Sequence, residues 1–293
     1  MKTWFITGVS RGLGLALAKA ALERGDAVVG TVRGGVPELQ GPPERLRIIV
    51  LDLASAGSID GRGLPPAGSA AEWPSGSIDE AVAAAFAHTG RVDVLVNNAG
   101  YGLLGALEQA SDAELERLFA VDVFGPVRIL RAALPRLRAQ GSGHIINITS
   151  IAGRAPGTSA SLYSAAKAAL EGLSAGLAQE LAPFGIHVTA VAPGAFRTDF
   201  LAPHSLRKSA EADAGYAASV GKSLAAFDAM NGKQLGDPAR GAHAILAIAD
   251  AAAPPLHVLL GSDALRRMRD KLRAVTDEID RWQELTCSTD GTW

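Results

Sequence analysis

Trp4-Phe5-Ile6-Thr7-Gly8-Val9-Ser10-Arg11-Gly12-Leu13-Gly14 is the stretch from which the fold is read. Its first four residues are bulky or β-branched and form a short buried strand by pattern. The next seven hold three glycines, and from Leu15 to Arg24 apolar residues return at helical spacing in an alanine-rich run. A strand, a glycine turn and a helix N-terminus together make an anion site. Backbone N–H groups point out of the turn, and the helix dipole favours a pyrophosphate there. Glycine serves where the chain turns sharply and where phosphate comes close to the backbone. The spacing is Thr-Gly-x-x-x-Gly-x-Gly rather than GxGxxG, and a plain strand-to-helix turn can also carry such glycines.

Outward from that turn, strand patterns over 27–32, 47–51, 92–96, 144–149, 187–192 and 257–260 alternate with helical ones. The alternation predicts an α/β fold whose parallel sheet is covered on both faces. A helix is expected over Ser161–Leu181, ended by Pro183 and Gly185. Ser77 and Glu80 make a capping box that starts another.

Tyr163-Ser164-Ala165-Ala166-Lys167 sets a phenol and an ammonium one turn apart on one helix face. A cation beside a phenol favours the phenolate. The expectation is a Tyr163 pKa lowered from about 10 toward neutral, fit for general acid/base work. Ser150 closes the apolar run before it, and Asn97-Asn98-Ala99-Gly100 ends the strand over 92–96, where ligands bind in open α/β sheets. Each piece has a bland reading as a polar stripe or turn; the conjunction carries the weight.

Together these residues resemble the short-chain dehydrogenase/reductase family. The matching features are Thr7-Gly8-x-x-x-Gly12-x-Gly14, Asn97-Asn98-Ala99-Gly100, Ser150, Tyr163-x-x-x-Lys167, and Pro193-Gly194 followed by Thr198, in the family's order. The resemblance implies a Rossmann-type doubly wound parallel sheet in a single domain over 1–293. It implies an oxidoreductase that interconverts a carbonyl and an alcohol with a nicotinamide dinucleotide. Tyr163 would be the acid/base, Lys167 would tune it and hold the nicotinamide ribose, and Ser150 would grip the substrate oxygen. Gly8, Ser10, Arg11, Gly12, Leu13 and Gly14 would cradle the phosphates. Asp52 and Leu53 would meet the adenine, Asn98, Ala99 and Gly100 would form the floor, and Pro193, Gly194 and Thr198 would lie near the nicotinamide. One position departs: where the family has a catalytic Asn, this chain has Asp122. Its charge would raise the Lys167 pKa and alter the pH profile of activity.

At the end of the second strand, NAD-binding relatives carry an acid for the ribose hydroxyls. Here Val32 and Arg33 stand at that place, and no carboxylate occurs between Thr31 and Val36. Arg11 and Arg33 could bracket a 2′-phosphate, so NADP(H) is favoured, with NAD(H) possible. Two other classes share parts of the pattern: a nucleotide-sugar epimerase-like enzyme, and a dinucleotide-binding redox sensor without turnover.

The chain has 293 residues, 48% hydrophobic and 20% charged, with a formal charge of −2. No basic footprint suggests nucleic acid, and no run is long enough for a membrane span. One cysteine, Cys287, fits a reducing compartment, and with no leader evident the expectation is cytoplasmic. The six histidines are dispersed, so no metal site is expected. The Gly/Ala/Ser/Pro-rich segment 54–76 reads as an inserted flexible loop, with 61–76 dispensable for turnover. Segment 200–236 reads as a substrate lid over the nicotinamide. With Tyr101, Leu103, Leu104 and 154–159 it would select a mainly apolar small-molecule alcohol or ketone. Leu265, Met268, Leu272, Val275, Ile279 and Trp282 predict a C-terminal helix over 262–288, packed on the body or on a second subunit. A homo-oligomer, dimer or tetramer, is what the resemblance implies.

Overall fold

The structure is a computed structural model that describes residues 1–34, 37–54, 77–209 and 213–291. The expected loop over 54–76 lies, from 55 onward, outside the described residues, as does the expectation that 61–76 is dispensable.

The strands are β1 (Thr3–Ile6), β2 (Ala27–Val32), β3 (Leu46–Val50), β4 (Val94–Asn97), β5 (Gly102–Leu104), β6 (Gly143–Ile148), β7 (Ile186–Pro193), β8 (Leu206–Lys208) and β9 (His257–Leu260). The α-helices are α1 (Gly12–Glu23), α2 (Ile78–Thr89), α3 (Asp112–Phe119), α4 (Gly125–Gln140), α5 (Ile151–Arg154), α6 (Ser161–Leu181), α7 (Lys222–Met230), α8 (Pro238–Asp250) and α9 (Ser262–Cys287). Among the described residues, seven strands form one parallel sheet in the order β3-β2-β1-β4-β6-β7-β9. This is the doubly wound Rossmann-type arrangement. Crossovers from β1 and β4 leave in opposite directions, which opens a crevice at the C-terminal ends of those two strands.

Alternation along β1 divides the core. Trp4 and Ile6 join α1 and α8 on one face, through Leu17, Ala18, Ile245 and Leu246. Phe5 joins α2, α4 and α6 on the other, through Val82, Ile129, Leu137 and Leu177. All four β1 residues are buried, so strands covered on both faces read as unbroken apolar runs. Burying one of these large side chains contributes roughly 1.5–3 kcal/mol, which fixes the frame behind the crevice.

Three details position the site. α3 continues into α4 through a single π-helical turn, Ala120–Phe124, which swings Asp122 inward. α6 spans Ser161–Leu181 as expected, then tightens and stops at Gly185, whose φ of +67° suits glycine. The segment after Thr198 holds a strand that the sequence pattern did not predict: β8 pairs in parallel with β5. That little sheet ties Leu206–Lys208 to the loop after Gly100.

Candidate active site

The glycine turn and the Asn97–Gly100 loop are one hydrogen-bonded unit. Thr7 Oγ1 accepts from the backbone N–H of Asn98 and of Ala99, each at 3.0 Å. Asn98 Nδ2 donates to Thr7 O (2.9 Å) and Gly8 O (3.0 Å). Gly8 and Gly12 adopt φ of +75° and +60°. A Cβ on Gly14 would lie 2.3 Å from both Asn98 Nδ2 and Gly8 O, so the packing demands glycine there. α1 begins at Gly12 after an extended Arg11 that offers no side-chain cap, which leaves first-turn N–H groups open at the cleft.

Four chemical groups converge beside this cradle. Ser150, at the end of β6, caps α5 by accepting from Ala152 N–H at 3.1 Å. Tyr163 and Lys167 project from α6, and the Tyr163 phenol faces Ser150, whose hydroxyl favours the phenolate. Lys167 Nζ donates to Ile148 O at 3.3 Å. Asp122, fully buried, sets Oδ2 3.0 Å from Lys167 Nζ, poorly aligned for a hydrogen bond, so the pair is held by charge. Its Oδ1 accepts from Tyr101 N–H at 3.1 Å. Gly100 makes room for this pair, since a Cβ there would come within 2.9 Å of Asp122 Oδ2 and 3.2 Å of Lys167 Nζ.

The electrostatics correct the expected Tyr163 pKa. Burial pushes the phenol up; Lys167 and the Ser150 hydroxyl pull it down, while Asp122 pushes it up again. The net direction is upward, because burial outweighs the pull of Lys167 and Asp122 adds to it, and the pair argument counted neither against the phenolate. Lys167 is pushed down by burial but lifted more by Asp122, Tyr163 and Glu171, and ends above its ordinary value. Asp122 is raised by burial against the opposing pull of Lys167 and of the Tyr101 N–H.

The expected cofactor-side residues all line a single cleft of about 530 Å³, from Gly8 and Arg33 at one end to Pro193, Gly194 and Thr198 at the other. Asp122 does not reach it and lies behind Lys167. Tyr101, Leu104, Leu206, Phe227 and Met230 give the far end an apolar wall. Two expected selectors are placed otherwise. Leu103 packs into the cluster around Leu118 and Tyr163. Arg154 binds Glu171 at 2.8 Å and the carbonyls of Ala190 and Val258, which makes it a brace for α5. Sequence reasoning missed α9's share: Asp263 accepts from Ala195 N–H at 2.9 Å and fills the space over Gly194. Arg267 donates to Ala155 O at 2.5 Å beside the cleft. Nothing in the spacing ties these residues to Gly194.

A family model described as short chain dehydrogenase matches residues 74–209. Oxidoreductase BOA17 of Botryotinia fuckeliana (strain B05.10) is 35% identical over 290 residues, 98% of this chain and 99% of that one. The crystal structure of a short-chain dehydrogenase from Streptomyces avermitilis is similar with a TM-score of 0.82 and 38% identity, covering 99% of this chain and 100% of that one. A short chain dehydrogenase from Burkholderia cenocepacia J2315, solved in complex with NADP, shares 25% identity at a TM-score of 0.67, over 96% of this chain and 98% of its own. Fold, cleft and kinship agree on an oxidoreductase class, and the chain belongs to the short-chain dehydrogenase/reductase family.

Proposed function

We propose that this chain is an NADP(H)-dependent oxidoreductase that interconverts a carbonyl and a secondary or primary alcohol on a mainly apolar small molecule. The observation that carries this reading is the meeting of Ser150, Tyr163 and Lys167 in the same cleft that the glycine turn closes. The residues fit a dinucleotide: two glycines in left-handed conformation stand before an uncapped helix N-terminus, which is a cradle for a pyrophosphate.

When bound, the dinucleotide supplies or takes up a hydride at its nicotinamide ring. The chain's own residues bind, orient and move a proton. Gly8 to Gly14 would hold the phosphates, Asp52 and Leu53 the adenine side, Asn98 to Gly100 the floor, and Pro193, Gly194 and Thr198 the nicotinamide end. Lys167 and Tyr163 would meet the ribose. The hydroxyls of Ser150 and Tyr163 hold the substrate oxygen. In reduction Tyr163 gives its proton to that oxygen and becomes a phenolate, which the Lys167 ammonium stabilises; in oxidation the proton returns. Leu201, Leu206, Phe227 and Met230, on the apolar wall of the cleft, would select the substrate.

Arg11 and Arg33 both face the cleft at the end of β2, and planar guanidinium groups suit a 2′-phosphate. The Burkholderia relative's bound NADP supports the same preference. One observation favours NAD(H) instead: Glu38 lies beside Arg11 in an adjoining hollow and could accept from ribose hydroxyls. Fluorescence titration decides; tighter binding of NADH than NADPH reverses the preference.

The activity is tested by NADPH oxidation across a panel of ketones and aldehydes, with wild type and Tyr163→Phe. Wild type turns over at least one apolar carbonyl, and Tyr163→Phe loses on the order of 10²–10⁴ in kcat with NADPH binding retained. Binding by both with turnover by neither makes the protein a redox sensor.

A further inference from the structure

Helix α9 leaves the body almost as soon as it begins. Ala264 is fully buried, and Met268 packs against the Ile151 and Ala155 cluster. From Arg269 to Cys287 every residue is exposed except Val275, which is partly buried. At 1.5 Å per residue the projecting part is about 28 Å long.

This rod is not polar all round. Leu265, Met268, Leu272, Val275, Ile279 and Trp282 recur at alternating steps of three and four, the a and d positions of successive heptads. Leu265, Leu272, Ile279 and Trp282 are 41%, 52%, 62% and 57% exposed. A strict 3.5-residue repeat is the seam for another helix, narrower than the stripe that a helix lays on its own domain.

Charge says which helix. The half 263–273 holds five cations and two acids; the half 274–287 holds four acids and one cation. That order opposes the helix dipole, which favours acids at the N-terminus and bases at the C-terminus. The helix's own stability therefore does not account for it. Laid antiparallel, two copies set each basic half against an acidic one.

We propose that α9 is the pairing surface for a second copy of this chain, joined as an antiparallel two-helix coiled coil. One register matches every seam position: Leu265 with the partner's Trp282, Met268 with the partner's Ile279, and Leu272 with the partner's Val275, each repeated by symmetry. The same register sets Lys271 beside the partner's Glu278. A parallel pair would stack like charges and leave Lys271 facing the partner's Thr276. The antiparallel pair keeps the two bodies at opposite ends. It brings the tip of each α9 to the first turn of the other, the turn from which Asp263 reaches Ala195 at the cleft rim.

The test is light-scattering mass of the full chain combined with a distance between nitroxide labels on Cys287, the chain's single cysteine. The antiparallel pair places the two labels about 40 Å apart along the axis, and a parallel pair places them side by side. Leu272→Asp/Ile279→Asp halves the mass with the thermal midpoint kept, because both positions are solvent-exposed in one copy. Lys271→Glu weakens dimerisation about tenfold, and Lys271→Glu/Glu278→Lys restores it. A monomeric wild type, a mass indifferent to the aspartates, or any label distance other than the long one overturns the proposal.

Discussion

The carboxylate of Asp122 lies 3.0 Å from the ammonium of Lys167; both are buried, Lys167 in the cleft wall and Asp122 directly behind it. The negative charge lifts the pKa of Lys167 and of Tyr163 alike. Asp122→Asn removes that lift. The Tyr163 limb of the kcat pH profile should then move to lower pH by about one unit, in either reaction direction. An unchanged profile would show that the carboxylate does not set the acid/base step.

Asp122→Ala should behave differently. It leaves the Lys167 ammonium buried without its counter-charge and the Tyr101 N–H without an acceptor. The expected cost is about 3–5 kcal/mol of unfolding free energy, read by urea titration. Asp122→Asn keeps an acceptor for Tyr101 and should lose less. Equal losses in the two variants would argue against the ion pair's role.

His144 offers a stability test far from the cleft. Burial, helped by His187 and Lys2, holds its pKa down at about 4 against an ordinary 6.5. Thr189 gives its hydroxyl proton to Pro255 O, so the neutral imidazole donates Nε2–H to Thr189 Oγ1 at 2.8 Å. Between pH 6.5 and 4 the unfolded chain binds a proton that the folded one refuses. Stability is therefore lost as pH falls through that window. By this residue alone the loss from pH 7 to 4.5 is about 2 kcal/mol, and His144→Gln should remove it.

Gly14→Ala tests the cradle. The new methyl would meet Gly8 O and the Asn98 amide at 2.3 Å, and the first of these is backbone. The turn must shift, with about 1–3 kcal/mol of stability lost and dinucleotide affinity reduced. Calorimetric titration showing wild-type affinity would separate the cradle from cofactor binding.

Arg33→Ala should weaken NADPH binding about tenfold and leave NADH within a factor of about three, because a lost charge-assisted contact affects only the phosphate-bearing ligand. Equal losses for both would mean that Arg33 contributes charge to the rim without discriminating.

The seven sheet strands were legible because strands buried on both faces read as apolar runs, and α6 because its spacing and its Pro183/Gly185 stop are local. β5 and β8 were not: each has three residues, and Leu206-Arg207-Lys208 carries two exposed charges where an apolar alternation would be needed. The positions of Ser150, Tyr163 and Lys167 followed from motif spacing, but the direction of the Tyr163 pKa did not. It depends on burial and on Asp122, forty-one positions away in the chain. Arg154 looked like a cleft residue because Glu171, its partner, lies on the next helix and has no marker in the local pattern. Asp263 was invisible for the same reason, since only the folded β7–β9 pairing brings Gly261 and Gly194 together.

The β5–β8 ribbon fastens Leu206–Lys208 to Gly102–Leu104, one residue beyond Tyr101, whose N–H is bonded to Asp122. The surface ribbon and the buried ion pair are thus joined by one continuous run of backbone, so a substitution that loosens the β5–β8 pairing should be felt at the carboxylate as well as at the rim.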